Sequence, residues 1–330
     1  MSYKEKRILG IGNALVDILT HLDDDSVLET LNFPRGSMNL VGRDTQKQVE
    51  ELIRTAHSRV VTGGSAANTI RGLARLDVGT GYIGKIGRDA IGAYTEESLR
   101  THDVASHLIY SDTPSGRCVV LIDAEGERTM VTYLGAAVEM CDDEIDDDNL
   151  AGYDYLFIEG YLVQSPALIE GAMRKAKASG LIVALDMASF NVVEGNREFL
   201  SYLILTYVDI VFANEDEARG FAGREPAEAL GILTGMCDIA VVKVGAEGSI
   251  IGRGAERWAV PAAGHTVVDT TGAGDLYAAG FLYGLSMDMA PDRCGHIGAL
   301  IANQVIQTIG PAIDETQWPS LRDQIQGMVR

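Results

Sequence analysis

Seven short apolar runs rich in β-branched residues recur along the chain, at 7–12, 82–86, 155–159, 181–186, 210–213, 240–244 and 249–252. Between them lie longer stretches with helical spacing of apolar residues, at 66–76, 166–178, 215–221, 227–233 and 273–285. A run that is apolar at nearly every position reads as a strand covered on both faces, and strands that alternate with helices pair in parallel through crossovers. The expected fold class is therefore α/β, a doubly wound, mostly parallel sheet with helices on both faces.

Two stretches break that rhythm. Residues 15–41 and 113–134 show the alternation of half-buried strands, the second as runs 117–122 and 128–133 across the turn Asp123-Ala-Glu-Gly126. They are expected to assemble a small β-sheet lid from residues 14–43 and 113–134. The remainder, 1–13, 44–112 and 135–330, would form one large α/β domain, which a chain of 330 residues can accommodate.

Charge narrows the partners. With 47 Asp and Glu against 27 Lys and Arg, the net charge is 27 − 47 = −20, which repels nucleic acids and anionic membrane surfaces. No apolar run approaches the roughly 18 residues of a membrane span. Asn13 and Asp17 interrupt the one stretch, after Lys4, Lys6 and Arg7, that could imitate a secretory signal, so a cytoplasmic location is expected. Cys118, Cys141, Cys237 and Cys294 lie far apart with no CxxC pair and read as buried thiols. Seven acids crowd 139–148: Glu139, Asp142, Asp143, Glu144, Asp146, Asp147 and Asp148. No frame of that run supplies the Gly and Glu of a calcium loop, so it reads as a solvated helix start. Most of the acid surplus is thus expected on outer surface, away from any phosphate site.

With 37 glycines, phosphate-loop lookalikes need their context. Gly79-x-Gly81-x-x-Gly84 has the dinucleotide spacing but leads into a strand, where the fingerprint requires a helix. Gly10-x-Gly12 follows a strand but lacks the third glycine, and no P-loop is present. The segment Val268-Asp-Thr-Thr-Gly-Ala-Gly-Asp275 differs, because a strand end feeds a Gly-rich turn that opens an apolar helix. The amides of Gly272, Ala273, Gly274 and Asp275 would converge there as an anion hole. Asp275 itself has two readings: a charge favourable to the helix dipole, or a base for a hydroxyl that attacks a phosphoryl group.

The motif Asp269-Thr-Thr-Gly-Ala-Gly-Asp275 resembles the C-terminal signature of the PfkB/ribokinase family of small-molecule kinases. Gly63-Gly-Ser-Ala-Ala-Asn68 with Gly84-Lys-Ile-Gly-Arg-Asp89 resembles the N-terminal one, and landmarks from Gly12 to Gly310 follow the family order. Gly12-Asn-Ala-Leu-Val-Asp17, Met38-Asn-Leu40, Tyr133-Leu-Gly-Ala-Ala137 and Gly160-Tyr-Leu-Val-Gln-Ser-Pro166 are most similar to the adenosine kinase branch. The resemblance implies a ribokinase-like fold and an ATP-dependent phosphotransferase with an alcohol group as acceptor.

It also implies roles. Asp275 would be the base, Gly272, Ala273 and Gly274 the anion hole, and Arg128 would reach over the transferring phosphoryl group. Asn13 and Asp17, at a strand end, would grip a vicinal diol, with Met38, Gly63, Gly64 and Asn68 completing the acceptor site. Asn214 and Glu217 match the NxxE motif whose Glu organises the Mg²⁺ hydration shell, and they also read as a capping box. Lys243, standing where many members have Thr, would line the ATP phosphates with Gly245, Gly248 and Thr271. Asp269, Thr271 and Gly310 match positions that hold a monovalent cation such as K⁺ in some members. The implied cofactors are Mg²⁺ with ATP, and K⁺.

The expected reaction is phosphorylation of the 5′-hydroxyl of a purine ribonucleoside, adenosine foremost. A sugar kinase for ribose, fructose or a sugar acid is the alternative on the same fold, and a non-catalytic nucleotide-binding sensor the alternative outside it. The lid leaves both a monomer and a lid-mediated homodimer open.

Overall fold

The computed structural model describes residues 6–24, 26–123, 127–264 and 267–329. Its strands in chain order are β1 (Ile8–Ile11), β2 (Leu15–His21), β3 (Met38–Leu40), β4 (Ser58–Thr62), β5 (Thr80–Gly87), β6 (Ala105–Ser111) and β7 (Gly116–Ile122). They continue with β8 (Arg128–Tyr133), β9 (Tyr155–Glu159), β10 (Ile182–Asp186), β11 (Ile210–Asn214), β12 (Ile239–Lys243), β13 (Ser249–Arg253) and β14 (Glu256–Val260).

The large sheet runs β14-β13-β12-β11-β10-β9-β1-β5-β6, parallel from β12 to β6 with β13 and β14 antiparallel at one edge. Alternate side chains enter two separate cores. Leu9 and Ile11, Leu156 and Ile158, and Val211 and Ala213 serve one face, while Ile8, Tyr155, Phe157, Ile210 and Phe212 serve the other. Both faces are covered, which is why these strands are apolar throughout. Chain order reverses around β1, flanked by β5 on one side and β9 on the other, and such a switch point opens a crevice at the carboxyl ends of the strands.

The second sheet runs β3-β8-β7-β2-β4. It corrects the expected boundaries, because β4 pairs antiparallel with β2, Val16 opposite Thr62, although it lies in the stretch assigned to the large domain. Val49 and Ile53 likewise pack beneath this sheet against Val119, Leu121 and Val131. β4 is a short edge strand that begins Ser-Arg and is mostly exposed, so it carries no apolar run to betray it. The turn expected at 123–126 lies largely outside the described residues, as does Lys4.

Other local expectations are adjusted. β5 contains Gly81 and Gly84 within the strand itself, so no phosphate turn exists there. The acidic run splits into two short helical turns, Asp142–Glu144 and Asp147–Leu150, and is not one solvated start. Glu144 pairs with Lys85 at 2.7 Å, and Glu139 accepts from Ser111 at 2.6 Å. The four cysteines are free, but Cys141 is exposed and Cys237 half-buried, at chain positions just outside the packed elements. Among the described residues no helix is long and apolar enough to cross a membrane.

One helix contact positions the site. The helix Ala273–Ser286 packs between Ser65–Ala74 and Pro291–Val305 with almost no side-chain spacing. A Cβ on Gly280 would lie 2.8 Å from the Gly298 backbone, and one on Gly72 would lie 2.9 Å from the Ala279 Cβ. That closeness brings the start of the Ser65–Ala74 helix against Asp275.

Candidate active site

A cavity of about 750 Å³ lies between the carboxyl ends of the large sheet and the lid. Asp275, in the first turn of its helix, is held by two donors: Ser65 Oγ at 2.7 Å to Oδ1 and Asn68 Nδ2 at 2.8 Å to Oδ2. Burial pushes its carboxyl up to about 6, with Asp186 adding to the rise; the Asn68 and Ser65 hydrogen bonds and Lys243 act the other way. A buried carboxylate with free lone pairs and a value near neutrality is suited to accept a hydroxyl proton.

Beside it, Gly272 adopts φ +75°, the left-handed conformation that glycine takes without strain, and so turns the chain into the helix. The structure corrects one anion-hole donor. The Ala273 amide is spent on Thr270 O at 3.1 Å because the turn closes on itself. Among the described residues no backbone acceptor takes the amides of Gly272, Gly274 or Asp275, so these remain for an anion. Lys243 Nζ reaches the same place from the end of β12: a Cβ on Gly274 would lie 2.9 Å from it. It also pairs with Asp186 Oδ2 at 3.1 Å. Gly245 and Gly248, in the turn after β12, line the cavity further out.

On the acceptor side, Asn13 lies in the three-residue link, 12–14, between β1 and β2, and Asp17 is the third residue of β2. Glu159, the last residue of β9, accepts from Asn13 N at 2.8 Å, from Asn13 Nδ2 at 2.7 Å and from Ala66 N at 3.0 Å. Asn13 therefore keeps its Oδ1 and one N–H for a ligand. Gly63 packs on Asp17, leaving 2.5 Å between a built Cβ and Oδ1, and Gly64 has φ +81° with its built Cβ 2.7 Å from Asn13 O. Burial raises the Asp17 carboxyl to about 7; Arg71 and Arg128 oppose this and Asp275 adds to it. Asp17 stands on the lid sheet itself, in register with Cys118 of β7, and Met38, Leu40 and Met130 continue the cavity lining along that sheet.

Three expectations change. Asn68 lines the cavity, but its oxygen is engaged by Arg71 and one N–H by Asp275, because its turn of helix packs against the Ala273–Ser286 helix, so it offers a ligand at most one N–H. Arg128 is ion-paired with Asp269 and donates to Thr271 Oγ1. Asp269 also accepts from Thr271 N at 2.8 Å and Gly310 N at 2.6 Å. A monovalent cation therefore does not fit at Asp269 and Thr271, where a guanidinium already supplies the positive charge.

Residues 35–318 match the profile of the pfkB family carbohydrate kinase. The chain belongs to that family. It is an ATP-dependent small-molecule kinase. Among solved structures it is similar to the adenosine kinase from Sinorhizobium meliloti, at 36% identity and TM-score 0.88 over 97% of this chain and 99% of that one. It is equally similar in shape to a probable sugar kinase from Rhizobium etli, at 32% identity and TM-score 0.89 over 98% and 99% of the two chains. Adenosine kinase 2 of Arabidopsis thaliana is 26% identical, over 92% of this chain and 94% of its own.

In the kinase, Asn214 and Glu217 form the capping box foreseen in the sequence: Glu217 N donates to Asn214 Oδ1 at 2.8 Å and Asn214 N to Glu217 Oε2 at 2.7 Å. Burial and Asp186 push the Glu217 carboxyl up. Among the described residues no three side chains group as direct metal ligands. The donor set suits a divalent cation brought by the nucleotide, since Asp186, Glu217 and Asp275 outnumber the one ammonium, Lys243, that faces them.

The expectation that most of the acid surplus lies away from the phosphates holds for the 139–148 run, none of which lines the cavity, but the cavity carries acids of its own, among them Asp17, Glu159, Asp186, Glu217 and Asp275. Burial resolves the conflict, because it raises Asp17 and Glu159 to about 7 and Asp275 to about 6, so these groups are not all ionised at neutral pH. Glu159 and Asp186 went unread in the sequence. Each ends a parallel strand, and that position at the carboxyl edge of the sheet was the available signal.

Proposed function

We propose that the kinase transfers the γ-phosphoryl group of ATP, carried with Mg²⁺, to the 5′-hydroxyl of a purine ribonucleoside such as adenosine. One observation carries the reading. The cavity holds a polar pair, Asn13 and Asp17, and, running from Asp17 along the same lid sheet, an apolar wall of Cys118, Met130, Met38 and Leu40. A nucleoside offers a diol to the first and a flat apolar base to the second, whereas a free sugar leaves the wall without a partner. Similarity to the Sinorhizobium meliloti adenosine kinase supports it.

Asp275 takes the proton of the acceptor hydroxyl as its oxygen forms the new bond to γ-phosphorus. The bond from phosphorus to the β-bridging oxygen breaks, and its electron pair leaves with ADP. The amides of Gly272 and Gly274 and the Lys243 ammonium face the charge that spreads on the transferred group. Mg²⁺, held through water near Glu217, would neutralise the ATP phosphates. Arg128 stands one residue from Gly272 through its bond to Thr271 and, while paired with Asp269, would bring the lid over the phosphates. Lid closure excludes water as a competing acceptor.

The test is ADP release over a panel of nucleosides and free sugars. Turnover of adenosine or a close purine ribonucleoside at least about a hundredfold above any sugar in kcat/KM is expected. Activity on sugars alone would establish the alternative that the Rhizobium etli likeness favours, and no release on any member would favour a nucleotide sensor.

A further inference from the structure

Arg71 lies beneath the cavity on the second turn of the Ser65–Ala74 helix, with 7% of its surface exposed. Its Nη2 donates to two neutral oxygens, Asn68 Oδ1 and the carbonyl of Gly63, the latter at 3.4 Å. Asn68 in turn donates to Asp275 Oδ2 at 2.8 Å. An amide has a donor end and an acceptor end of nearly the same shape, so something must decide which one faces the carboxylate. A guanidinium only donates, and by claiming the oxygen it sends the NH₂ to Asp275. The second contact braces Gly63, whose backbone backs Asp17. One buried cation therefore touches both the group that orients the base and the turn that walls the acceptor site.

Burial lowers the guanidinium to about 10, opposed by Tyr82, Asp17 and Asp275. It remains charged at neutral pH, so its field reaches both carboxylates. Burying a charge among neutral oxygens is costly, and an apolar side chain would fill the same space without that cost. Packing alone does not account for an arginine here.

We propose that Arg71 is a positioning residue for phosphoryl transfer: it fixes the Asn68 amide so that its N–H holds Asp275 toward the acceptor hydroxyl, and it braces Gly63 behind Asp17. The proposal rests on Asp275 being the base.

The experiment places Arg71→Met and Arg71→Lys in the wild-type and Asp275→Asn backgrounds and reads kcat, both KM values and the thermal midpoint. In the wild-type background Arg71→Met is expected to lower kcat by about tenfold or more while the KM for ATP stays within about twofold. In the Asp275→Asn background the same change should lower kcat by less than about twofold, because the group it acts through is already disabled. Arg71→Lys, which keeps the charge and a donor, should recover part of the loss. An equal fold loss in both backgrounds overturns the proposal, as does an unchanged kcat with only a lower midpoint. If Arg71→Met does not fold, Asn68→Ala enters the same cycle, and again a loss that ignores the background overturns it. Near-normal turnover by Asp275→Asn alone defeats the base reading instead, and that result is seen without any Arg71 variant.

Discussion

Arg128, the first residue of β8, is ion-paired with Asp269, whose side chain is 2% exposed, so the lid is fastened to the segment that leads into the anion hole. Arg128→Ala should unfasten it, lowering kcat/KM by about tenfold or more for both substrates. Replacing Na⁺ by K⁺ at fixed ionic strength should leave the wild-type rate unchanged, since the guanidinium holds the place of the cation. Steady-state assays in the two salts check this, and K⁺ activation of the wild type would contradict it.

As the proposed base, Asp275 would have to be ionised to act, and its carboxyl is pushed up to about 6. The rate kcat should therefore rise with pH through about 6 and level off above it. Asp275→Asn should abolish that limb and lower kcat by about a hundredfold or more, with ATP and acceptor affinity changed only a few-fold. A pH–rate profile with calorimetric binding separates the two effects.

Glu159 accepts three hydrogen bonds at 1% exposure. Glu159→Gln turns one acceptor atom into a donor facing donors, which should cost about 1–3 kcal/mol of stability. Asn13 would lose its anchor, so the acceptor KM should rise while the KM for ATP holds. Urea unfolding and steady-state kinetics measure the pair, and an equal rise in both KM values would argue against so local a role.

The ligand-free kinase should be more stable near pH 5.5 than near pH 7.5. Asp17 and Glu159 are raised to about 7 and Asp275 to about 6, against unfolded values near 4. Between those values the folded chain holds protons that the unfolded chain has released, so stability falls as pH rises from about 4 to about 7. His102 and His107, lowered by burial, act in the opposite sense as pH drops below about 6.5, and Asp89 and Asp269 as it drops below about 4. The raised carboxyls outnumber the two imidazoles in the window. Scanning calorimetry across the range checks the sign.

Much of this was legible because it follows from period and turn chemistry. The strand Tyr155–Glu159 and the helix Pro166–Ala178 stand where the apolar spacing put them, and the Gly-rich turn does open a helix with Asp275 in its first turn. β6 and β14 were missed since each is an edge strand with polar residues facing solvent, as in Ala105–Ser111 and Glu256–Val260. Glu159 and Asp186 were legible only as strand ends. They become neighbours only through the β9–β10 register, which sets Asp186 opposite Glu159 across 27 positions of sequence. Arg71 reads as one more helical residue until Asn68 and Gly63 are seen to share its guanidinium.

The chain passes between its two sheets at the step from β1 to β2, and again where β4 runs through Gly63 and Gly64 into the Ser65–Ala74 helix. Of the residues proposed to grip the acceptor, Asn13, Gly63 and Gly64 sit at those two steps and Asp17 near the start of β2, so a bound acceptor would lie at a pivot between the sheets. A rigid ring wedged in a pivot stiffens the joint, whereas ATP, lodged along the large sheet, does not have that leverage. On the proposed reading, closing motion and acceptor recognition would be one event, and a product would depart only as the joint itself loosens.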